Sequence, residues 1–192
     1  MQIVFASSNK NKIFEMQSML PNAIKILSLE DIGCLEDIPE TADTIEGNAI
    51  LKVNYVSSKY GCDCFADDTG LEVEILNGVP GVYSARYAGE QRSAEDNMNK
   101  LLTALVNKDN RNARFKTVIA LNINGIQKLF TGVAEGEITI KQSGDGGFGY
   151  DPIFKPKGYE KTFAELSLEI KNEISHRGKA TKQLLDYLTK LG

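Results

Sequence analysis

Residues 115–126 read FKTVIALNINGI. Phe115, Thr117, Ile119, Leu121 and Ile123 recur at every second position, the period of a strand with one buried face. Asn124-Gly125 closes the run with two residues that accept the positive φ angles of a tight hairpin turn. The stretch therefore predicts an antiparallel pair, with strand continuing over about 126–140.

Toward the N-terminus, Ile3-Val4-Phe5-Ala6 reads as a short buried strand. Ser7-Ser8-Asn9 makes a turn, and Ile13, Met16 and Leu20 recur at helical spacing. A second helix is predicted over about 44–60, with Ile45, Ala49, Val53, Val56 and Tyr60 in one apolar stripe. Thr44 suits its N-cap and Gly61 its stop. Residues 62–66 read as a strand that delivers Asp67-Asp68-Thr69-Gly70, and Leu71, Val73 and Ile75 alternate in a further short strand. Met98, Leu101, Leu102 and Leu105 mark a helix over about 97–106. A last helix follows Ser175, with Ala180, Leu184, Leu188 and Leu191 facing inward. Helices interleaved with antiparallel hairpins give a mixed α/β class.

The 192 residues suit one compact domain, or one domain of two joined lobes. A net charge of −4 argues against a protein whose main work is gripping a nucleic-acid backbone, while leaving room for a local cation cluster around a single nucleotide. Cys34, Cys62 and Cys64 are odd in number and lack paired CxxC spacing, so they read as free thiols in a reducing compartment. The apolar run Ile3 to Ala6 is too short for a signal-peptide core and no stretch approaches membrane-spanning length. A cytoplasmic protein with no membrane partner is expected. A lone histidine, His176, excludes a multi-histidine metal centre, and no GxSxG elbow is present.

Five segments carry candidate chemistry. Ser7, Ser8, Asn9, Lys10, Asn11 and Lys12 lie at a strand-to-helix turn, which serves equally as a phosphate seat or as an ordinary helix cap with solvated lysines. Glu40 and the Asp67-Asp68 pair supply carboxylates of the kind that hold Mg²⁺, a hard ion, together with phosphate oxygens; a solvated acidic surface is the plain alternative. Lys52 lies beside the apolar stripe of its helix, where a lysine ordinarily extends its ammonium to water. In the glycine-rich loop 144–152, Phe148 and Tyr150 could stack on a planar base or simply fill the core. Ser175-His176-Arg177 opens the last helix as a cap or as a ligand site.

Taken together, these segments resemble the inosine triphosphate pyrophosphatase, or Ham1-like, family. The matching stretches are Ser7 to Lys12, Glu40-Thr41, Glu46 to Lys52, Ala66 to Leu71, Gly78 to Tyr87, Gly146 to Pro152 and Ser175 to Arg177, in the family's order and over nearly the whole chain. The resemblance implies an elongated two-lobed α/β domain spanning residues 1–192, with a mixed sheet, flanking helices and a central active-site cleft, commonly a homodimer. It further implies Mg²⁺ at Glu40 and Asp68, with Asp68 also the proton acceptor. Ser7 to Lys12, Lys52 and Lys171 would bind the polyphosphate and Thr69 would add a substrate contact. Phe148, Gly149, Tyr150, Asp151, His176 and Arg177 would form the base and sugar site. The implied reaction is hydrolysis of ITP, dITP or XTP to the monophosphate and pyrophosphate. Arg177, which carries only donors, is expected to face the 6-oxygen of the base. The family more often has Thr-Gly-Asn where this chain has Ser7-Ser8-Asn9, and a positive φ at the middle position would strain Ser8.

Overall fold

A computed structural model describes residues 1–191. β1 (Gln2–Phe5) runs parallel to β2 (Lys25–Leu27), with Ile3 opposite Ile26, and parallel to β3 (Cys64–Val73), with Phe5 opposite Phe65. β4 (Pro80–Gly81) lies antiparallel on β3. β5 (Asn112–Ile123) and β6 (Ile126–Ile138) are sheet neighbours, and β7 (Phe154–Pro156) runs antiparallel to β6. The order is β2-β1-β3-β5-β6-β7, with β4 off this path. The helices are α1 (Lys10–Met19), α2 (Ile45–Tyr60), α3 (Ala94–Ala104), α4 (Leu168–Ile174) and α5 (His176–Leu188). The mixed α/β class expected from the sequence is the one found.

Local chemistry explains the boundaries. Asn124 and Gly125 have φ of 51° and 75°, the positive pair that a two-residue hairpin between β5 and β6 requires. Thr44 Oγ1 accepts from Gly47 N–H at 3.0 Å to cap α2, and Gly61, at φ 61°, ends it by donating to Ser57 O.

The chain forms two compact units. Unit 1 comprises Met1–Asp68, Thr117–Gly132 and the chain from Arg177 onward; unit 2 comprises Thr69–Lys116 and Val133–His176. Each has its own core. In unit 1, Phe5 stacks on Phe65 with centroids 4.7 Å apart, among Met16, Ile119, Leu121 and Leu184. In unit 2, Phe115 meets Phe154 edge-on at 4.7 Å, among Leu71, Leu101, Ile153 and Phe163. Burying one such side chain contributes about 1.5–3 kcal/mol.

Five expectations change. Asp67 and Asp68 lie inside one continuous strand, β3, rather than at a strand end, and Ile75 falls in a 3₁₀ turn, Glu74–Leu76. β3 is buried on both faces, so it shows no alternation, and Asp-Asp-Thr-Gly mimics turn composition. α3 starts at Ala94 because Ser93 caps it by accepting from Asp96 N–H; its polar first turn escapes the apolar period. β6 ends at Ile138, leaving Ile140 exposed. Leu191 lies beyond α5 and is also exposed. The three cysteines are free thiols, and no helix is long and apolar enough to cross a membrane among the described residues.

Candidate functional site

Unit 1 gathers an ionic cluster at the C-terminal end of its share of β3. Asp67 is fully buried and takes Lys12 Nζ on Oδ1 at 3.0 Å and Arg177 Nε on Oδ2 at 3.3 Å. Arg177 Nη1 also donates to Glu15 Oε2 at 2.5 Å. Glu15, Arg177 and Asp67 are each at most 5% exposed, so their charges are satisfied by one another rather than by water.

Beside this group, Lys52 Nζ lies 2.5 Å from Glu40 Oε1 and 3.8 Å from Asp68 Oδ1. Lys52 shares the inward face of α2 with Ile45, Asn48, Ala49, Val53 and Val56, and is itself 7% exposed. The expected extension of its ammonium to water gives way to carboxylate partners. Asp68 Oδ2 is buried with no hydrogen-bond partner among the described residues.

Position in this cluster sets the acidities. Burial pushes Asp67 upward, but the opposing charges of Lys12, Arg177 and Lys52 outweigh it and hold the carboxyl well below the usual range. Asp68 moves the other way: burial, helped by Glu40 and Asp67, outweighs Lys52 and Lys12 and raises it. Burial also dominates at Lys12, whose ammonium is lowered, with Lys52 and Arg177 adding repulsion. At Lys52 the three carboxylates overcome burial and raise it. Two neighbouring aspartates thus differ: the ionised form is favoured at Asp67 and disfavoured at Asp68.

The N-terminal turn takes the capping form. Asn9 Oδ1 accepts from Asn11 N–H at 3.0 Å and Lys12 N–H at 3.2 Å, and Asn9 N–H donates to Ser7 Oγ. The left-handed non-glycine residues among those described are Asn77, Arg92, Asn107 and Asn124, so Ser8 carries no such strain. Ser8, Lys10 and Asn11 are exposed.

A second constellation lies wholly within unit 2. Asp151 Oδ2 accepts from Lys171 Nζ at 2.6 Å and from Phe148 N–H at 2.7 Å. The Lys171 ammonium sits 5.1 Å from the centre of the half-buried Phe148 ring, a cation–π arrangement. Tyr150 is buried in the core and donates its hydroxyl to Ser84 O at 2.8 Å, which leaves Phe148 as the aromatic with an accessible face. Gly149 has φ 65°, Thr69 is half-buried, and His176 stacks on Phe115 with centroids 4.4 Å apart.

The structure therefore brings Lys12, Glu40, Lys52, Asp68 and Arg177 together in unit 1, and Phe148, Asp151 and Lys171 together in unit 2. It pairs the Arg177 guanidinium with two carboxylates, Glu15 and Asp67. Sequence reasoning missed Glu15 and the pairing role of Asp67. The available signal was Glu15 at i+3 from Lys12 and next to Met16, on the inward face of α1.

Glu40 and Asp68 offer hard oxygen donors, and the unpartnered Asp68 Oδ2 is the kind of buried atom that a divalent cation satisfies; the residues present fit such an ion. Among the described residues no group of three or more His, Cys, Asp or Glu is placed to hold a metal alone. Two protein carboxylates completed by substrate oxygens is the arrangement that Mg²⁺ commonly accepts.

Residues 3–187 match the model of the Ham1 family. The chain is 72% identical, over 189 residues, to a Flavobacterium johnsoniae protein named dITP/XTP pyrophosphatase, with 98% of each chain covered. It is 51% identical over 188 residues to a Porphyromonas gingivalis protein of the same name, with 97% of each covered. In three dimensions it is similar to the Staphylococcus aureus Ham1 protein, with a TM-score of 0.91, 41% identity and 100% of both chains covered.

Proposed function

The chain belongs to the Ham1 family, and from that premise we propose that it hydrolyses the deaminated purine nucleoside triphosphates ITP, dITP and XTP to the monophosphate and pyrophosphate, clearing them from the nucleotide pool. The observation that carries this reading is Asp68, a buried carboxylate with raised proton affinity and one unpartnered oxygen, sharing Lys52 with Glu40.

Water attacks the α-phosphorus, the bond to the bridging oxygen of the leaving pyrophosphate breaks, and the water proton passes to Asp68. Without the metal, burial raises the proton affinity of Asp68 above that of a surface aspartate. Glu40 and Asp68 would hold Mg²⁺, which when bound would supply charge neutralisation and polarisation at the phosphate oxygens. Lys12 and Lys52 oppose the remaining negative charge, and Asp67, anchored by Arg177, fixes the Lys12 ammonium in place. The turn 7–12 and Thr69 add polar contacts to the polyphosphate.

Phe148 offers a ring for stacking on the base, with Gly149 allowing close approach. Asp151 and Lys171 hold that loop, and Tyr150 and His176 support it from the core. Arg177 acts through Glu15 and Asp67 rather than by touching the base. The reading includes a cytoplasmic homodimer that binds no nucleic acid and no membrane.

Pyrophosphate release from ITP, XTP and ATP, with and without Mg²⁺, tests the proposal. Release is expected only with the metal, with kcat/KM for ITP and XTP about 100-fold or more above that for ATP. Equal values for ITP and ATP, or full turnover in EDTA, would overturn it.

A further inference from the structure

The loop that carries Glu40 meets the first turns of α2 at Ala42, while further along α2 Lys52 holds Glu40 itself and Tyr55, Lys59 and Tyr60 hold Glu36. Asn48 is 2% exposed on α2, and its Oδ1 accepts the Ala42 N–H at 2.9 Å. Gly47 faces the same residue: a Cβ at Gly47 would stand 2.6 Å from Ala42 Cβ and 3.0 Å from Thr44 Oγ1. Lys52, one turn beyond Asn48 on the same face of α2, takes Glu40 Oε1 at 2.5 Å.

An amide in the middle of an apolar helix face is costly unless its hydrogen-bonding capacity is used. Here its oxygen satisfies a loop N–H two residues after Glu40. Gly47 is not in the left-handed region, so its backbone does not require glycine. What requires a missing Cβ at that position is the approach of Ala42.

We propose that Asn48 and Gly47 are positioning residues for Glu40: by clamping Ala42 onto the first turns of α2, they hold the Glu40 carboxylate where it shares Lys52 with Asp68, ready for the divalent cation. The inference rests on the reading of Glu40 as a metal-binding carboxylate. A carboxylate on an untethered loop loses conformational freedom each time it binds an ion, and the clamp removes that cost in advance. Neither residue touches substrate or metal, so the effect is felt in metal affinity first.

Mn²⁺ binding by the full chain without nucleotide, read by electron paramagnetic resonance, tests this directly. Glu40→Gln, Asn48→Ala and Gly47→Ala are compared with the wild type, and each is also followed by thermal unfolding without metal. All three variants are expected to weaken Mn²⁺ binding, Asn48→Ala and Gly47→Ala by about 10-fold or more. Gly47→Ala is the decisive variant because alanine favours the helix. Its melting temperature should hold or rise while its metal affinity falls, a combination that a folding defect cannot produce. With ITP, the metal concentration at half-maximal rate should rise in both positioning variants, while kcat at saturating Mg²⁺ stays near wild type. If Asn48→Ala does not fold, Gly47→Ala decides alone. Wild-type affinity in Gly47→Ala, with weakened binding in Glu40→Gln, would overturn the clamp and leave the metal reading standing. Wild-type affinity in Glu40→Gln would overturn the metal reading and the clamp with it.

Discussion

Arg177 Nε donates to Asp67 Oδ2 at 3.3 Å, joining residues 110 positions apart in a place where neither meets solvent. Asp67 also carries Lys12, and Arg177 also carries Glu15, so removing Asp67 takes a buried anion away from two cations at once. Breaking such a pair from one end typically costs about 3–5 kcal/mol. Asp67→Asn should therefore lower unfolding free energy by about 3 kcal/mol in urea titrations at neutral pH. A loss below about 0.5 kcal/mol, the range of ordinary surface substitutions, would show that the network does not stabilise the fold.

Asp68, one residue further along the strand, should respond in the opposite sense. Burial raises its folded-state pKa above the unfolded value, so the ionised form is disfavoured in the fold and its charge costs stability at neutral pH. Asp68→Asn removes that cost along with the proposed proton acceptor. Melting temperature without metal is expected to hold or rise, while pyrophosphate release from ITP falls by about 100-fold or more. Destabilisation with preserved turnover would assign Asp68 to structure instead.

The contrast between these neighbours marks where sequence stops being informative. α2 was legible end to end because Thr44, Gly61 and a single apolar stripe are local signals. The β5–β6 hairpin was legible because Asn124-Gly125 encodes its turn. Nothing local distinguishes Asp67 from Asp68, since their difference comes from Lys12, Arg177 and Glu15, brought in from α1 and α5 by the fold. Lys52 illustrates the same limit. Its position beside an apolar stripe predicts an ammonium in water, and only the arrival of Glu40 and β3 makes a buried ammonium tolerable.

Glu36 provides a pH-dependent test away from the site. Its carboxylate accepts from Lys59, Tyr55 and Tyr60, and these hydrogen bonds hold it well below the usual range. A depressed folded-state pKa adds stability that is fully present above the unfolded value of about 4.3 and is lost as pH falls through the folded one. The stability gap between wild type and Glu36→Gln should be constant from about pH 6 to pH 8 and close at lower pH, below the ordinary glutamate range. Chemical denaturation at several pH values measures it. A gap that widens on acidification would contradict the assignment.

Asp151 offers the sharpest test of the loop proposed to contact the base. Its Oδ2 holds both the Lys171 ammonium and the Phe148 N–H, and a Cβ on Gly147, at φ 70°, would collide with that oxygen. Gly147 is thus excluded from carrying a side chain by backbone conformation and by Asp151 at once. Asp151→Asn keeps one acceptor oxygen for two donors and removes the carboxylate charge 2.6 Å from the buried Lys171 ammonium, so a stability loss of about 3 kcal/mol is expected. The loop also loses its hold on Phe148. Stacking is made equally in the ground and transition states, so KM for ITP should rise while kcat changes little. Gly147→Ala should give the same kinetic pattern from the other side of the contact. A fall in kcat at unchanged KM in both variants would place this loop in the chemical step and refute its assignment to base binding.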